Sequence, residues 1–228
     1  MIVFFSSHIE GPQAKLLGEE FTHCIKVLRK QIGDTIHLVD GKGAHYRGNI
    51  QSISKKECLI DILSTDKKES IDIRKAIGIA PTKNISRFEW FLEKATEIGI
   101  TDIYPIIYKQ SERKIIKPAR AQKIVRSAFK QSLRYFEPTL HPLTNFDAFI
   151  KLDINYELKF IAHFEQDNPI IQQEIDHDKS TIVLIGPEGD FRQQEIDQAT
   201  DLGFKKVNIS ENRLRTETAG VVALNYIV

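Results

Sequence analysis

Cysteine, methionine and tryptophan are scarce in this 228-residue chain: two, one and one. Cys24 and Cys58 are too few for a disulfide framework and stand at no metal-ligand spacing. The seven histidines are scattered, none near another or near a cysteine at ligand spacing, so no structural zinc and no other metal site is expected. No apolar run approaches the roughly 20 residues that span a bilayer. The opening MIVFFSSHIEGP is too briefly apolar for a signal peptide and lacks a basic leader. Neither G-x-x-x-x-G-K-[ST] nor G-x-G-x-x-G occurs, which argues against a P-loop and a dinucleotide fingerprint. Net charge is close to balanced, with 32 Lys and Arg against 31 Asp and Glu. What remains is a cytoplasmic globular chain, with length for one large domain or two smaller ones.

The charge is unevenly distributed. Lys109, Arg113, Lys114, Lys117, Arg120, Lys123, Arg126, Lys130 and Arg134 follow one another with Glu112 as the only acid among them. From Glu137 to Asp201 the balance reverses. Such a run suits a face for a polyanion, and equally a solvated helix.

Residues 1 to 70 read as β-rich. Ile2–Phe5, Thr35–Asp40, Tyr46–Ile53 and Cys58–Leu63 are short apolar or alternating runs with turn punctuation at Gly41-Lys42-Gly43, which suggests a small barrel or meander. One helix, Glu19–Arg29, interrupts them, with Phe21, Ile25 and Leu28 on one face. The polar, aperiodic Ser64–Ser70 marks the domain boundary. From Ile71 strands and helices alternate. Strands are expected at Ile73–Ala80, Ile103–Tyr108, Leu158–Phe164, from Thr181 and from Lys206. Helices are expected at Ser86–Ile98, Pro118–Arg134, Phe146–Leu152, Gln193–Leu202 and from Glu217. This alternation predicts an α/β domain with a mostly parallel sheet.

Two strand-to-helix loops carry most of the chemistry. Ile182–Ile185 runs into Gly186-Pro187-Glu188-Gly189-Asp190, a turn that lets a ligand approach the backbone. Val207-Asn208-Ile209 leads to Leu214-Arg215-Thr216-Glu217-Thr218-Ala219-Gly220. Both sit at the carboxyl ends of strands, where open α/β sheets bind ligands. Thr216 or a neighbour suits a helix cap and Glu217 suits the first turn, whereas Arg215 is disfavoured by the helix dipole. Capping therefore explains every group there except the arginine.

These motifs, together with Val27-Leu28-Arg29, Gly33-Asp34, Asp40-Gly41-Lys42-Gly43, Arg87, Glu93-Lys94-Ala95-Thr96-Glu97-Ile98-Gly99, Ser111-Glu112-Arg113 and Gln131-Ser132 with Arg134, span nearly the whole chain. In order and spacing they resemble the RsmE family: SPOUT-class RNA methyltransferases that modify N3 of a uridine in 16S ribosomal RNA of the small subunit. The chain departs from the family at Asp190, where a second glycine is usual, and at Ser210-Glu211-Asn212, where a small Gly-containing stretch is usual.

The resemblance implies an N-terminal PUA-like β-barrel over 1–70 and a SPOUT domain over 71–228 whose chain forms a trefoil knot. It implies a homodimer that binds S-adenosylmethionine in that knot and releases S-adenosylhomocysteine. The cofactor loops would be 162–165, 184–189 and 209–219, with His163, Ile185, Gly186, Glu188, Gly189, Arg215, Thr216, Thr218 and Ala219 around the ligand and Leu184, Ile209 and Leu214 sandwiching adenine. Uracil N3 must lose its proton before it attacks. Arg215, then Arg87, are candidates for stabilising the uracil anion, and Glu217 for accepting the proton. His163 is an alternative base or a structural histidine. RNA phosphates would meet Arg29, Lys30 and Arg47 on the barrel, and Arg113, Lys117 and Arg134 on the α/β domain. Two other readings stay open: a relative that methylates ribose 2′-O, for which Asn84 and Arg87 are present in a different context, and an inactive rRNA-binding assembly factor. A nucleotide phosphohydrolase has neither its P-loop nor a carboxylate cluster.

Overall fold

The computed structural model describes residues 1–69 and 73–228. The expected boundary at 70/71 lies outside the described residues. The chain divides into two compact units, residues 1–70 with 129–137, and residues 71–128 with 138–228.

In the first unit, β1 (Val3–Phe5), β2 (His8–Glu10), β3 (Gln13–Leu17), β4 (Thr35–Val39), β5 (Ala44–Ile53) and β6 (Glu57–Lys67) form a six-stranded sheet in the order β1-β4-β5-β6-β3-β2. Inward residues such as Phe4, Leu16, Leu38, Ile50 and Ile60 are fully buried and build its core with Phe21, Cys24 and Cys58. Bulges between Arg47 and Gly48 and between Ile50 and Ser52 bend the long β5–β6 ribbon. Gly48 is required there: a Cβ would lie 2.6 Å from the Asp61 carbonyl.

Two expectations are corrected in this unit. Ser64–Lys67, read as aperiodic at the domain boundary, is the end of β6, paired with β5 (Tyr46 opposite Thr65, Ala44 opposite Lys67). Its residues are exposed, so no hydropathy alternation reveals the strand. The expected helix at 19–29 is one α turn, α1 (Gly18–Phe21), running into a π-helical Thr22–Val27. It ends at Arg29 in the left-handed region, φ 54°. Residues 129–137 complete the unit: Phe129 joins Val3 and Val39, and Tyr135 stacks on His45 at 3.9 Å. Arg134 therefore belongs to the first unit and not to the α/β domain.

The second unit is a parallel sheet of β7 (Lys75–Ile79), β8 (Asp102–Ile107), β9 (Thr139–Leu140), β10 (Thr144–Asn145), β11 (Leu158–Ala162), β12 (Thr181–Ile185) and β13 (Lys205–Val207). Its order is β10-β8-β7-β12-β11-β13, with β9 also on β8. Helices α2 (Ile85–Ile98), α3 (Pro118–Gln131), α4 (Phe146–Phe149), α5 (Gln193–Asp201) and α6 (Thr216–Ile227) complete the element order.

Alternation along the strands sorts the core into two layers. Ile77, Ile79, Val183 and Ile185 pack with α2 and α6 through Phe88, Phe91, Ala223 and Leu224. Ala76, Ile182 and Leu184 pack on the other face with Phe149, Ile196 and Ala199 of α4 and α5. Asn84 caps α2 by accepting from the Ser86 amide at 3.1 Å, and Gly99 ends it at φ 123°. Gly220 lets α6 approach α2 and β7, because a Cβ there would stand 2.7 Å from the Phe91 ring. Among the described residues, no helix is long and apolar enough to cross a membrane. No group of three or more His, Cys, Asp and Glu is placed to hold a metal among them.

Candidate functional site

At the carboxyl ends of β11, β12 and β13 the chain encloses a cavity of about 280 Å³. Ala162, Ile185, Val207, Ile209, Leu214 and Ala219 supply apolar walls, and Gly186, Pro187, Glu188, Asp190, Arg215 and Thr216 supply polar and backbone groups. A mostly apolar cleft with a few placed polar groups is the usual character of a small-molecule site.

Each wall has a local cause. Asp190 stands at φ 67°, a left-handed position that Asp tolerates better than most residues. Its Oδ1 accepts from the Phe191 amide at 2.8 Å, and its Oδ2 lies 3.5 Å from His163 Nδ1. The residue that departs from the family's glycine thus stands in a glycine-like backbone region, with its carboxylate beside the loop after β11. His163 Nδ1 is buried and has no hydrogen-bond partner, so the approach is a close contact and not a hydrogen bond. The turn closes through Asp190 N–H to Pro187 O at 2.9 Å. Glu188 Oε1 accepts from the Lys83 amide at 2.9 Å, which ties the turn to the loop after β7.

The third loop ends in α6, whose N-cap residue is Arg215 and which has no side-chain cap. Thr216 does not cap it; its hydroxyl donates to the Gly186 carbonyl at 3.1 Å and joins two loops. The first amides of α6 are thus without a side-chain cap. Glu217 is 7% exposed. Its Oε1 lies 3.6 Å from Arg87 Nε, and its buried Oε2 has no hydrogen-bond partner. Arg215 is exposed and makes no ion pair among the described residues.

Several expected site residues therefore meet at one place: Ile185, Gly186, Glu188, Ile209, Leu214, Arg215, Thr216 and Ala219 line the cavity. Leu184 does not. Its side chain points to the opposite face of the sheet and is fully buried with Ala76 and Ile106, because neighbours on a strand alternate. Ile185 is the residue of that pair on the cavity side. Gly189, Thr218 and His163 lie in the right loops but do not line the cavity. Gly189 instead lies against Gln110. Arg87 is engaged with Glu217.

Of the expected phosphate contacts, Arg29, Arg47 and Lys117 are exposed, and Lys30 lies 3.9 Å from Asp34. Arg113 is otherwise occupied: its Nε donates to the Thr82 carbonyl at 2.9 Å and its Nη2 to the Lys83 carbonyl at 2.6 Å. It braces a loop rather than presenting a free cation. Arg134 is half-buried, and burial lowers its pKa.

Sequence reasoning missed Asn208. Buried at the end of β13, it accepts from the Glu165 amide and donates to the Glu165 and Asn168 carbonyls, at 3.1, 2.8 and 3.0 Å. It holds the loop after β11 in place. A single asparagine after a short apolar run carries no signal of such a role. Phe164, within the expected cofactor loop 162–165, is a wall of the cavity, and the Arg213 guanidinium lies 5.9 Å from its ring centre.

Family models match both halves of the chain: an RNA methyltransferase domain over residues 69–228 and an RNA methyltransferase PUA domain over residues 16–63. A ribosomal RNA small subunit methyltransferase E from Mesomycoplasma hyopneumoniae is 30% identical over 75% of this chain and 75% of its own. The crystal structure of a probable rRNA-methyltransferase from Porphyromonas gingivalis is 34% identical, with a TM-score of 0.87 over 100% of this chain and 97% of that one. A ribosomal RNA small subunit methyltransferase E from Neisseria gonorrhoeae, bound to S-adenosyl methionine, is 27% identical, with a TM-score of 0.84 over 98% and 95%. A PUA-like unit, a parallel α/β unit with its cavity at the strand ends and these matches along the full length make this chain a member of the RsmE family of SPOUT-class ribosomal RNA methyltransferases.

Proposed function

We propose that this chain transfers a methyl group from S-adenosylmethionine to N3 of a uridine in the 16S RNA of the small ribosomal subunit. The observation that carries the reading is the cavity at the ends of β11–β13, which has Arg215 at its rim and the buried, half-paired Glu217 in the adjoining first turn of α6. Its lining suits the cofactor. Ile209, Leu214 and Ala219 offer apolar surface to a purine, and the uncapped start of α6 offers amides to oxygen ligands. When bound, S-adenosylmethionine supplies an electrophilic methyl group on a sulfonium.

The protein's own groups do the rest. Glu217 takes the N3 proton on Oε2, the oxygen with no other partner, while Arg87 holds Oε1. Arg215 faces the charge that appears on the uracil oxygens. The apolar walls exclude water from a reaction in which an anion and a cation become neutral products. The target base leaves its stack to reach the cavity. Residues 1–70 act as the RNA-binding domain and 71–228 as the catalytic domain, with Arg29, Lys30, Arg47 and Lys117 on phosphates. The chain works as a cytoplasmic homodimer. The deep knot is part of the same reading. It is supported by the route of the chain: after β13, at one edge of the sheet, α6 returns to pack on β7, β12 and α2.

The test is methyl transfer from labelled S-adenosylmethionine to small subunits lacking the modification, with nucleosides identified by mass spectrometry. 3-Methyluridine is expected. A ribose-methylated nucleoside would replace the N3 assignment, and no calorimetric binding of S-adenosylmethionine at millimolar concentration would end the enzyme reading.

A further inference from the structure

A second cavity, of about 230 Å³, lies on the same sheet edge. Ile107 and Asn145, the last residues of the paired strands β8 and β10, form its rim, and Tyr108, Phe146, Lys109 and Lys114 are among its walls. It is built within the second unit and shares no residue with the first cavity.

Its polar groups divide into those already used and those left over. Glu195 is buried, and both of its oxygens are spent, on the amides of Lys109 and Arg192 at 2.9 and 2.8 Å. Asn145 uses Oδ1 to cap α4, accepting from Ala148 at 2.8 Å, and its Nδ2 has no partner among the described residues. The Tyr108 hydroxyl is buried with no hydrogen-bond partner. A polar atom so placed is expensive unless a ligand or water meets it. Lys109 and Lys114 are exposed and make no ion pair among the described residues. Asp147 adds an exposed carboxylate to the lining, so the cavity offers an amide donor and a hydroxyl with two cations and one acid around them.

We propose that this cavity holds one nucleotide of the RNA strand, next to the uridine that enters the first cavity. Asn145 Nδ2 and the Tyr108 hydroxyl meet the base, and Lys109 and Lys114 meet its phosphates. The proposal rests on the methyltransferase reading and adds to it a second contact point for the strand. A polynucleotide that follows the sheet edge reaches both cavities, which a free nucleoside does not. The cavities also share a structural neighbour. The Phe191 ring lies 4.9 Å from the Tyr108 ring, edge to face, and backs Gly186 so closely that a Cβ there would come within 3.0 Å of it.

The experiment measures anisotropy of a fluorescein-labelled uridine hexamer at 50 and 200 mM salt, with S-adenosylmethionine affinity measured by calorimetry on the same samples. The variants are N145S/Y108F, which keeps a capping oxygen on α4, and K109Q/K114Q. N145S/Y108F is expected to weaken the hexamer about tenfold at both salts. K109Q/K114Q is expected to weaken it and to reduce the salt slope by about 1.4, the value for two phosphate contacts on a single strand. S-adenosylmethionine affinity stays within twofold throughout. Variants that bind the hexamer like the unsubstituted chain, while that chain binds both ligands, overturn the second contact point alone. An unsubstituted chain that binds neither ligand overturns the methyltransferase reading and this one together. If the double variants melt early, K114Q, at an exposed position, carries the same comparison.

Discussion

Glu217→Gln separates chemistry from architecture. Two terms set its effect on stability. The ion pair with Arg87, at 3.6 Å, would be worth about 4–5 kcal/mol at an effective dielectric of 20. Arg87 is 40% exposed, however, so solvent screening reduces the net contribution to about 1 kcal/mol. Against this, Oε2 is a buried, unpartnered oxygen of a charged group, a burden of about 1–3 kcal/mol or more. A neutral amide loses the first term and relieves much of the second. The variant is expected to be as stable as the parent or up to about 2 kcal/mol more stable, read as a raised urea midpoint at unchanged slope. Methyl transfer is expected to fall 100-fold to 10,000-fold, the usual loss for a positioned proton acceptor. S-adenosylmethionine affinity holds within threefold. A turnover within threefold of the parent would refute the proton-acceptor role. A loss of stability with activity retained would make Glu217 a brace for Arg87. Arg87→Ala leaves both carboxylate oxygens unmatched and destabilises, and the double variant measures the coupling directly.

Three other outcomes follow from single features. Gly220→Ala gains about 1 kcal/mol of helix propensity but drives a Cβ to 2.7 Å from Phe91 and 2.9 Å from Ile79, both fully buried; overpacking costs about 1–3 kcal/mol, so a net loss of stability and weaker S-adenosylmethionine binding are expected by denaturation and calorimetry. Arg29→Gly relieves a left-handed backbone, worth about 1 kcal/mol, against a similar entropic cost, so stability holds while RNA affinity and its salt slope drop. Burial would raise the Asp102 carboxyl, but hydrogen bonds from His141, Arg74 and Thr101 outweigh it and hold its pKa well below the usual carboxylate range. Its contribution is then complete above the unfolded value near about 4 and is lost as pH falls below that. Urea midpoints between pH 5 and pH 3 should fall less in Asp102→Asn, itself weaker at neutral pH, than in the parent.

Legibility in the sequence followed physical scale. The helices with a full apolar stripe, such as α2 with Phe88, Phe91, Leu92 and Ala95, were readable because burial of one face imposes the period. The buried strands β7 and β12 were readable as short apolar runs before Pro81 and Gly186. The hairpin β2–β3 and the two-residue strands β9 and β10 were not, since exposed or very short strands impose no pattern. Ser64–Lys67 looked aperiodic for the same reason. At the site, residue types and their clustering were legible, but partners were not. Nothing in the sequence distinguishes a phosphate-binding arginine from Arg113, whose guanidinium is held by two carbonyls 30 and 31 residues away. Nor does it show that Asp190 stands in the left-handed region, at φ 67°.

The two edges of the parallel sheet treat polar groups in opposite ways. At the amino edge, among the described residues, the buried Asp102 and Lys75 are both met. Asp102 accepts from Arg74 twice, at 3.1 and 2.8 Å, from Thr101 at 2.8 Å and from His141 at 2.9 Å, for which His141 must carry its proton on Nε2. Buried Lys75 donates to two carbonyls, both at 2.9 Å. At the carboxyl edge lie the three buried side-chain atoms that lack partners among the described residues: Tyr108 after β8, His163 after β11 and Glu217 beyond β13. A fold selected for stability alone would distribute such atoms without regard to edge, since each costs about 1–3 kcal/mol wherever it stands. Among the described residues all three lie at the edge where α/β sheets bind ligands. The same division accounts for the half-paired Glu217. Arg87 lies 3.6 Å from one of its oxygens, and the other is buried without a hydrogen-bond partner.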